Sequence, residues 1–254
     1  MRALALDETL KDQVAADPAL RASAWRVAER YVAGRTIAEG TAVSIDYMGE
    51  SCRDAALATA ETEVFLDLSR QAAAGQEMTI SMEGSDRTDL ILWTHERLCE
   101  RFGHVGVTVQ ARLHRTAEDL DRLLRRPGRI RLVKGAYLEP ESLAHARGSR
   151  ELRAAYLRYA TLLLDSGHPC SIATHDPDLL GELRPRMRPG SGAYEIEMLL
   201  GLDGGLLPAM RDQGHPVRMY ITFGTQWWLY VWNRLAEDPS RLFQALVDVT
   251  GNGG

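Results

Sequence analysis

Arg131 and Lys134 stand in a short apolar run, RLVKGAYLEP (131–140), that closes on the two small residues Gly135 and Ala136. A buried strand excludes cations unless an anion meets them, so this segment points to an anionic group at its end. Other apolar runs also finish on hydrogen-bonding residues: Asp46 and Glu50, Glu83, Gln110, Thr174 with His175 and Asp176, Glu195 with Glu197, and Tyr220. The set is poor in metal ligands. His175 is the one histidine at such an end apart from His114 just past another, whereas zinc or iron needs several converging imidazoles or carboxylates, so no metal is expected. There is no GxSxG elbow and no cysteine beside these ends, which removes the usual nucleophilic triads. What remains is chemistry that holds an electron-rich, anionic organic molecule, such as a phosphorylated cofactor or substrate.

The runs that carry these residues read as strands: 42–50, 78–85, 105–115, 130–137, 170–176, 193–201 and 217–224. Segments of helical periodicity separate them, among them RELRAAYLRYATLLLDSG, which puts Leu152, Tyr156, Tyr159 and Leu163 on one face and stops at Gly167. Alternation of strand and helix implies parallel strands with right-handed crossovers, either doubly wound or closed as a (βα)₈ barrel. SIDYMGESCRD, after the first strand, has one glycine where a dinucleotide fingerprint needs three. The α/β barrel is therefore favoured, and barrel enzymes build their sites from the C-terminal ends of several strands. Seven strands are legible against the eight of a complete barrel, so a distorted or incomplete barrel is expected. No linker or composition shift divides residues 1–254, which read as one domain with residues 1–40 a helical segment packed on it.

The whole chain, 254 residues with a formal net charge of −5, lacks the basic face of a nucleic-acid binder. Cys52, Cys99 and Cys170 form no CxxC pair and suggest neither a disulfide framework nor a thiolate metal site. No apolar run approaches the roughly 18 residues of a transmembrane helix, and the N-terminus lacks a signal-peptide core. The expectation is a cytoplasmic protein.

Read together, RYVAG (30–34), SIDYMGE (44–50), MEGS before VTVQARLHRTAEDL, RLVKGAYLEP, ATHDP (173–177) and MYITFGTQWWLYVWNRLAEDP resemble, in collinear order, the proline dehydrogenase family. The resemblance runs from about residue 30 to residue 240. It implies a distorted (βα)₈ barrel that binds FAD and passes a hydride from the carbon beside a secondary amine to the flavin, leaving a cyclic imine. It further implies that Gln110, Arg131, Lys134, Gly135, Ala136, Thr174 and His175 hold the FAD, and that Met82 touches the flavin ring through its backbone. The chemistry agrees, since a fixed guanidinium favours an anionic reduced flavin and a small pair lets backbone N–H groups approach a ligand.

Departures fall on the substrate side. The family's lysine-bearing strand has no counterpart in residues 49–76, Ser81 stands where an acidic residue is usual, and the paired arginines of the last helix read Asn233 and Arg234. Exchanging one guanidinium of a carboxylate clamp for an amide removes about 1.5–3 kcal/mol, or roughly ten- to a hundredfold in affinity. The expected substrate is an amine or a cyclic or modified amino acid other than free L-proline, with its carboxylate either altered or masked by a carrier. Tyr220, Tyr230, Asn233, Arg234, Arg131 and Glu195 are the residues expected around it. The electron acceptor, quinone or oxygen, is left open, and exposed strand edges make a homodimer the expectation.

Plainer readings stand beside these. Arg131 and Lys134 also suit barrel-layer ion pairs, His175 a hydrogen-bonded strand end, Glu195 and Glu197 paired structural carboxylates, and Trp227, Trp228 and Trp232 helix packing. Two rival functions follow: a catalytically degenerate relative acting as a binding or regulatory partner, and a lyase or aldolase using Lys134 as a Schiff-base amine.

Overall fold

The computed structural model describes residues 41–47, 77–100, 102–199 and 205–223. Packing divides the chain into two compact units, Leu66–Tyr220 and Met1–Phe65 with Ile221–Gly254. In the second, the described secondary structure includes the strand β1 (Ala42–Tyr47). The first contains β2 (Met78–Ile80), β3 (Val105–Gln110), β4 (Ile130–Val133), β5 (Cys170–Ala173), β6 (Tyr194–Leu199) and most of β7 (Val217–Phe223). All seven expected strands are present among the described residues, each starting within a residue of the apolar run that announced it. The stretch expected to lack a strand, 49–76, lies outside them.

From β2 to β7 every strand pairs in parallel with the next in sequence. This succession without reversal is the winding of a barrel; a doubly wound sheet reverses its strand order at a switch point. Among the described residues, five α-helices lie in the crossovers: α1 (Thr88–Cys99), α2 (Thr116–Leu123), α3 (Arg150–Ser166), α4 (Pro177–Leu183) and α5 (Leu206–Asp212).

Side-chain alternation separates two faces. One carries Val107, Val109, Ile130, Leu132, Cys170, Ile172, Ile196, Met198, Val217 and Met219, all buried and apolar. Register places Thr108, Arg131, Ser171 and Glu195 together on the other face, and two residues further along Gln110, Val133, Ala173, Glu197 and Arg218. This polar face carries two layers, one nearer the N-terminal ends of the strands and one nearer the C-terminal ends.

The helices cover the apolar face. α3 begins where the Ser149 hydroxyl accepts the Leu152 N–H at 3.1 Å and ends at Gly167 in the left-handed region, as its sequence signals require. Leu152, Tyr156, Tyr159 and Leu163 are all buried, the face that their spacing predicted. Tyr156 and Leu163 have no solvent exposure, a burial that stabilises by about 1.5–3 kcal/mol per side chain. The Tyr156 hydroxyl donates to the Ala173 carbonyl at 3.1 Å, and burial pushes its pKa far above that of a free phenol.

The turn into β4 lies tight against β3. Gly128 has φ +96°, and a Cβ there would collide with the Val105 carbonyl oxygen; one at Gly106 would strike the Arg129 carbonyl. No other residue type fits either place without moving backbone.

Candidate active site

The C-terminal ends of β3 to β7 bring together most of the expected residues that the structure describes. Gln110, the last residue of β3, is 2% exposed. Its amide nitrogen donates to the Glu83 carbonyl at 2.9 Å, which fixes the orientation of the amide, and its Oε1 is buried with no partner among the described residues. A buried amide oxygen without a donor is costly, so this atom calls for a ligand that carries an N–H or O–H.

Beside it, Gly135 has φ +109°, and a Cβ would come within 2.7 Å of Arg112 Cγ and 2.8 Å of Gln110 Oε1. Glycine is thus required by the packing beneath the loop as well as by the left-handed backbone. Arg112 gave no signal in the sequence, where ARLHR looks like a strand exit. It is 3% exposed, and its guanidinium donates to the carbonyls of Tyr137 and, at 3.0 Å, His145. Its backbone N–H also donates to the Lys134 carbonyl at 3.1 Å, while Arg147 donates to the Ala136 carbonyl. These contacts hold residues 134–137 from below. Burial, with Arg147 nearby, lowers the Arg112 pKa from its usual value.

The loop after β2 is fastened to the same segment. Tyr137 donates to the Glu83 carboxylate at 2.8 Å, and Ser85 gives its N–H and hydroxyl to Glu139 at 2.7 and 2.5 Å. Met82, expected to offer its backbone, is 7% exposed within this loop.

Arg131 reaches from the lower layer into the upper one. Its Nε donates to Glu197 at 2.7 Å, and its guanidinium lies 4.1 Å from the Tyr220 ring centroid. Register aligns Arg131 with Ser171 and hence with Glu195, so the long side chain leans along the strand to meet a carboxylate one layer higher. Burial raises the pKa of Glu197, with the Arg131 charge opposing that rise.

Lys134 donates to Asp176 at 3.0 Å, and Asp176 also caps α4 by accepting the N–H groups of Asp178 and Leu179, each at 3.1 Å. Partial burial pushes the Asp176 carboxyl up, but the Lys134 hydrogen bond, the Leu179 N–H and the Arg153 charge outweigh it and hold the pKa below normal. The Thr174 hydroxyl accepts the Asp176 N–H at 3.1 Å. Next to it, His175 Nε2 accepts the Leu199 N–H at 3.0 Å, which assigns the ring proton to Nδ1.

Glu195 has different company. It accepts from the Ser171 hydroxyl at 2.5 Å and Arg218 Nε at 2.6 Å, with Arg129 at 3.7 Å; Arg129 in turn meets Glu77 at 2.6 Å. This is a connected cluster of ion pairs in the N-terminal layer. Tyr230, Asn233 and Arg234 lie outside the described residues, as do the three tryptophans near them. The described residues contain no group of three or more His, Cys, Asp or Glu able to hold a metal ion, and none of their helices is long and apolar enough to cross a membrane.

Parallel strands in barrel order, with cations, an amide and a hydroxyl gathered at one end, define a barrel that grips an anionic, hydrogen-bonding cofactor. Residues 21–238 match the family model described as proline dehydrogenase. Proline dehydrogenase 1 of Bacillus subtilis strain 168 is 28% identical over 267 residues, covering 84% of this chain and 87% of its own. The proline dehydrogenase of Deinococcus radiodurans is 34% identical over 173 residues, 65% of this chain and 54% of its own. Two solved structures of proline utilization A have the same fold. That from Corynebacterium freiburgense superposes with a TM-score of 0.69 at 18% identity, covering 88% of this chain and 31% of its own. That from Bdellovibrio bacteriovorus, inactivated by N-propargylglycine, gives 0.68 at 18% identity, covering 80% and 30%. The chain therefore spans about a third of the length of those larger proteins. It belongs to the proline dehydrogenase family, FAD-dependent oxidoreductases acting on a CH–NH group.

The residues present fit a flavin. The Gln110 oxygen, without a partner among the described residues, suits a donor such as the flavin imide N–H, and Arg131, Lys134, Thr174 and His175 are of the types that would supply the charges and hydrogen bonds of a phosphorylated, readily reduced ring system.

Proposed function

We propose that this chain oxidises a cyclic or modified amino acid other than free L-proline, and that Met82, Gln110, Arg131, Lys134, Gly135, Ala136, Thr174 and His175 hold its FAD. One observation carries the cofactor half of this reading: the buried Oε1 of Gln110, without a partner among the described residues and set beside Gly135 at the C-terminal end of β3. The substrate half rests on Asn233 and Arg234, where the resemblance leads one to expect two arginines.

When bound, FAD supplies the acceptor for the hydride that leaves the carbon beside the amine. The protein's part is to orient and to balance charge. Gln110 is held by Glu83, so that its oxygen presents a fixed acceptor. Arg131, gripped by Glu197 and stacked on Tyr220, offers a cation in one orientation. Lys134, poised on Asp176, meets phosphate charge, and the Arg112 staple keeps the Lys134–Tyr137 backbone in place. The resemblance, rather than any described contact, assigns the substrate's remaining anionic or carbonyl group to Arg234 and gives Tyr220 and Tyr230 a place beside it; Tyr230 and Arg234 lie outside the described residues. Of the two carboxylates on β6, Glu197 is the one that serves this site, because Glu195 is engaged by Ser171 and Arg218 one layer below.

The Lys134–Asp176 pair disfavours the lyase reading, since a Schiff-base lysine needs an amine free to attack a carbonyl. The regulatory reading is separated from catalysis by assay. Full-length protein loaded with FAD is mixed anaerobically with a panel of cyclic secondary amines, free and carrier-bound, and bleaching of the flavin bands is followed. A modified amino acid is expected to bleach fastest. Protein that takes up no FAD overturns the cofactor assignment, free L-proline bleaching as fast as any other compound overturns the substrate assignment, and bleaching by none supports the regulatory role. Repeating turnover with a quinone and with oxygen as sole oxidant assigns the acceptor.

A further inference from the structure

The polar face holds several arginines, but their anionic partners are unequally shared. Arg129 and Arg218 share Glu77 and Glu195, with Arg218 reaching back from the row of Glu197 to the N-terminal layer. In the C-terminal layer, Arg131 meets Glu197, which is 2% exposed and 2.7 Å from its Nε. Glu197 is fixed on its own side too: its carbonyl accepts the Thr174 N–H at 3.2 Å, and it lies in register between Ala173 and Arg218. A carboxylate this deep has no solvation of its own, so its charge is felt almost undiminished by whatever Arg131 faces.

We propose that Glu197 is a positioning residue that tunes the flavin through Arg131, orienting the guanidinium and cancelling most of its charge. The inference rests on the reading that Arg131 faces the flavin, and it deepens that reading. A lone buried arginine would stabilise an anionic reduced ring strongly; an arginine paired at 2.7 Å presents a nearly neutral dipole instead. Glu197 thus holds the cofactor's reduction potential below the value that the arginine alone would set. A glutamine would still accept from Arg131 Nε, but it would leave the buried guanidinium without that counter-charge, so the single variant needs the double variant as its control.

The net charge of the pair makes a test with three holoenzymes. Wild type carries the guanidinium with its carboxylate, Glu197→Gln keeps the guanidinium and loses that carboxylate, and the double variant Glu197→Gln with Arg131→Met loses both charges of the pair. The double variant removes a buried pair together and so leaves no stranded charge to unfold the chain. FAD affinity and midpoint potential are measured for each by anaerobic dye-referenced titration. Glu197→Gln is expected to favour the reduced flavin about tenfold, a rise of about 30 mV for a two-electron couple. The double variant should return close to wild type. A potential in Glu197→Gln equal to or below wild type overturns the proposal, as does an equal rise in both variants, which would mean that Glu197 acts without Arg131. Identical affinity and potential in all three proteins is a different failure: neither residue then faces the flavin, and the cofactor site itself is misplaced.

Discussion

Two residues apart on β6, Glu195 and Glu197 each meet arginine on the polar face, yet their surroundings have opposite character. Around Glu195, Ser171, Arg129, Arg218 and Glu77 are linked by a run of hydrogen bonds and ion pairs. Around Glu197, Arg131 is paired and stacked, but the layer also holds a buried amide oxygen with no donor among the described residues. A filled polar network rigidifies a core, whereas an unfilled one costs stability unless a ligand completes it. The difference separates the end of the barrel that holds the fold from the end that holds a molecule.

The comparison breaks most visibly at Glu195. Glu195→Leu leaves Arg129 and Arg218 short of a buried anion and should cost about 3–5 kcal/mol in urea unfolding of the full chain. A loss below about 1 kcal/mol would show that this layer is not the connected network that its distances describe. Gln110→Leu probes the other layer. FAD affinity should fall about tenfold, near 1.4 kcal/mol, while the stability of the FAD-free protein changes by less than about 1 kcal/mol, because an oxygen without a partner among the described residues is lost along with one hydrogen bond. Equal losses in both measurements would make Gln110 a fold residue. Away from both layers, Ser149→Ala removes the N-cap of α3 and should lower stability by about 1 kcal/mol with FAD affinity unchanged; a change in affinity would tie α3 to the site.

The most gradual effect is the response to acid. His95 lies against the Val105 carbonyl at the start of β3, and His215 bonds Tyr194 at the start of β6. Burial lowers both pKa values from the usual 6.5; for His95 the Val105 carbonyl opposes this, and for His215 Arg184 reinforces it. The unfolded chain therefore takes up protons first as pH falls, and stability present above 6.5 is lost below it. Asp176, whose pKa is depressed from 3.8, supports α4 and Lys134 until the pH drops below that value. Hydrogen exchange against pH should accordingly show the N-terminal strand ends loosening before the C-terminal ones. A flat profile between about pH 7 and pH 5 would remove the histidines from the account.

The positions of the strands were readable because each begins with an apolar alternation and ends on polar residues, and α3 was readable because its cap, stop and buried stripe agree. The barrel followed from that alternation together with the missing glycine fingerprint. What the sequence could not reveal is which residues meet across strands. Choosing Glu197 over Glu195 as the partner of Arg131 requires the register of two strands that are not adjacent and the lean of a long side chain, neither of which has a local signature. Arg112 escaped notice because a cation after a strand looks like a solvated loop residue; only the carbonyls of Tyr137 and His145 give it a purpose. Gly135 stands out in the sequence as a small residue suited to a ligand's approach, whereas its packing on Arg112 and Gln110, which demands glycine independently of any ligand, has no local signature.

The contact between Gly106 and Gly128 reaches beyond the site. Each glycine lies against a neighbouring carbonyl with no room for a methyl group, so a saturation library across 105–108 and 127–130 should return both positions unchanged while their neighbours vary. The junction is equally unsuited to cutting, grafting or circular permutation. Anyone who redesigns this barrel for a new amine has freedom at the strand ends, and very little at the place where the third strand meets the turn into the fourth.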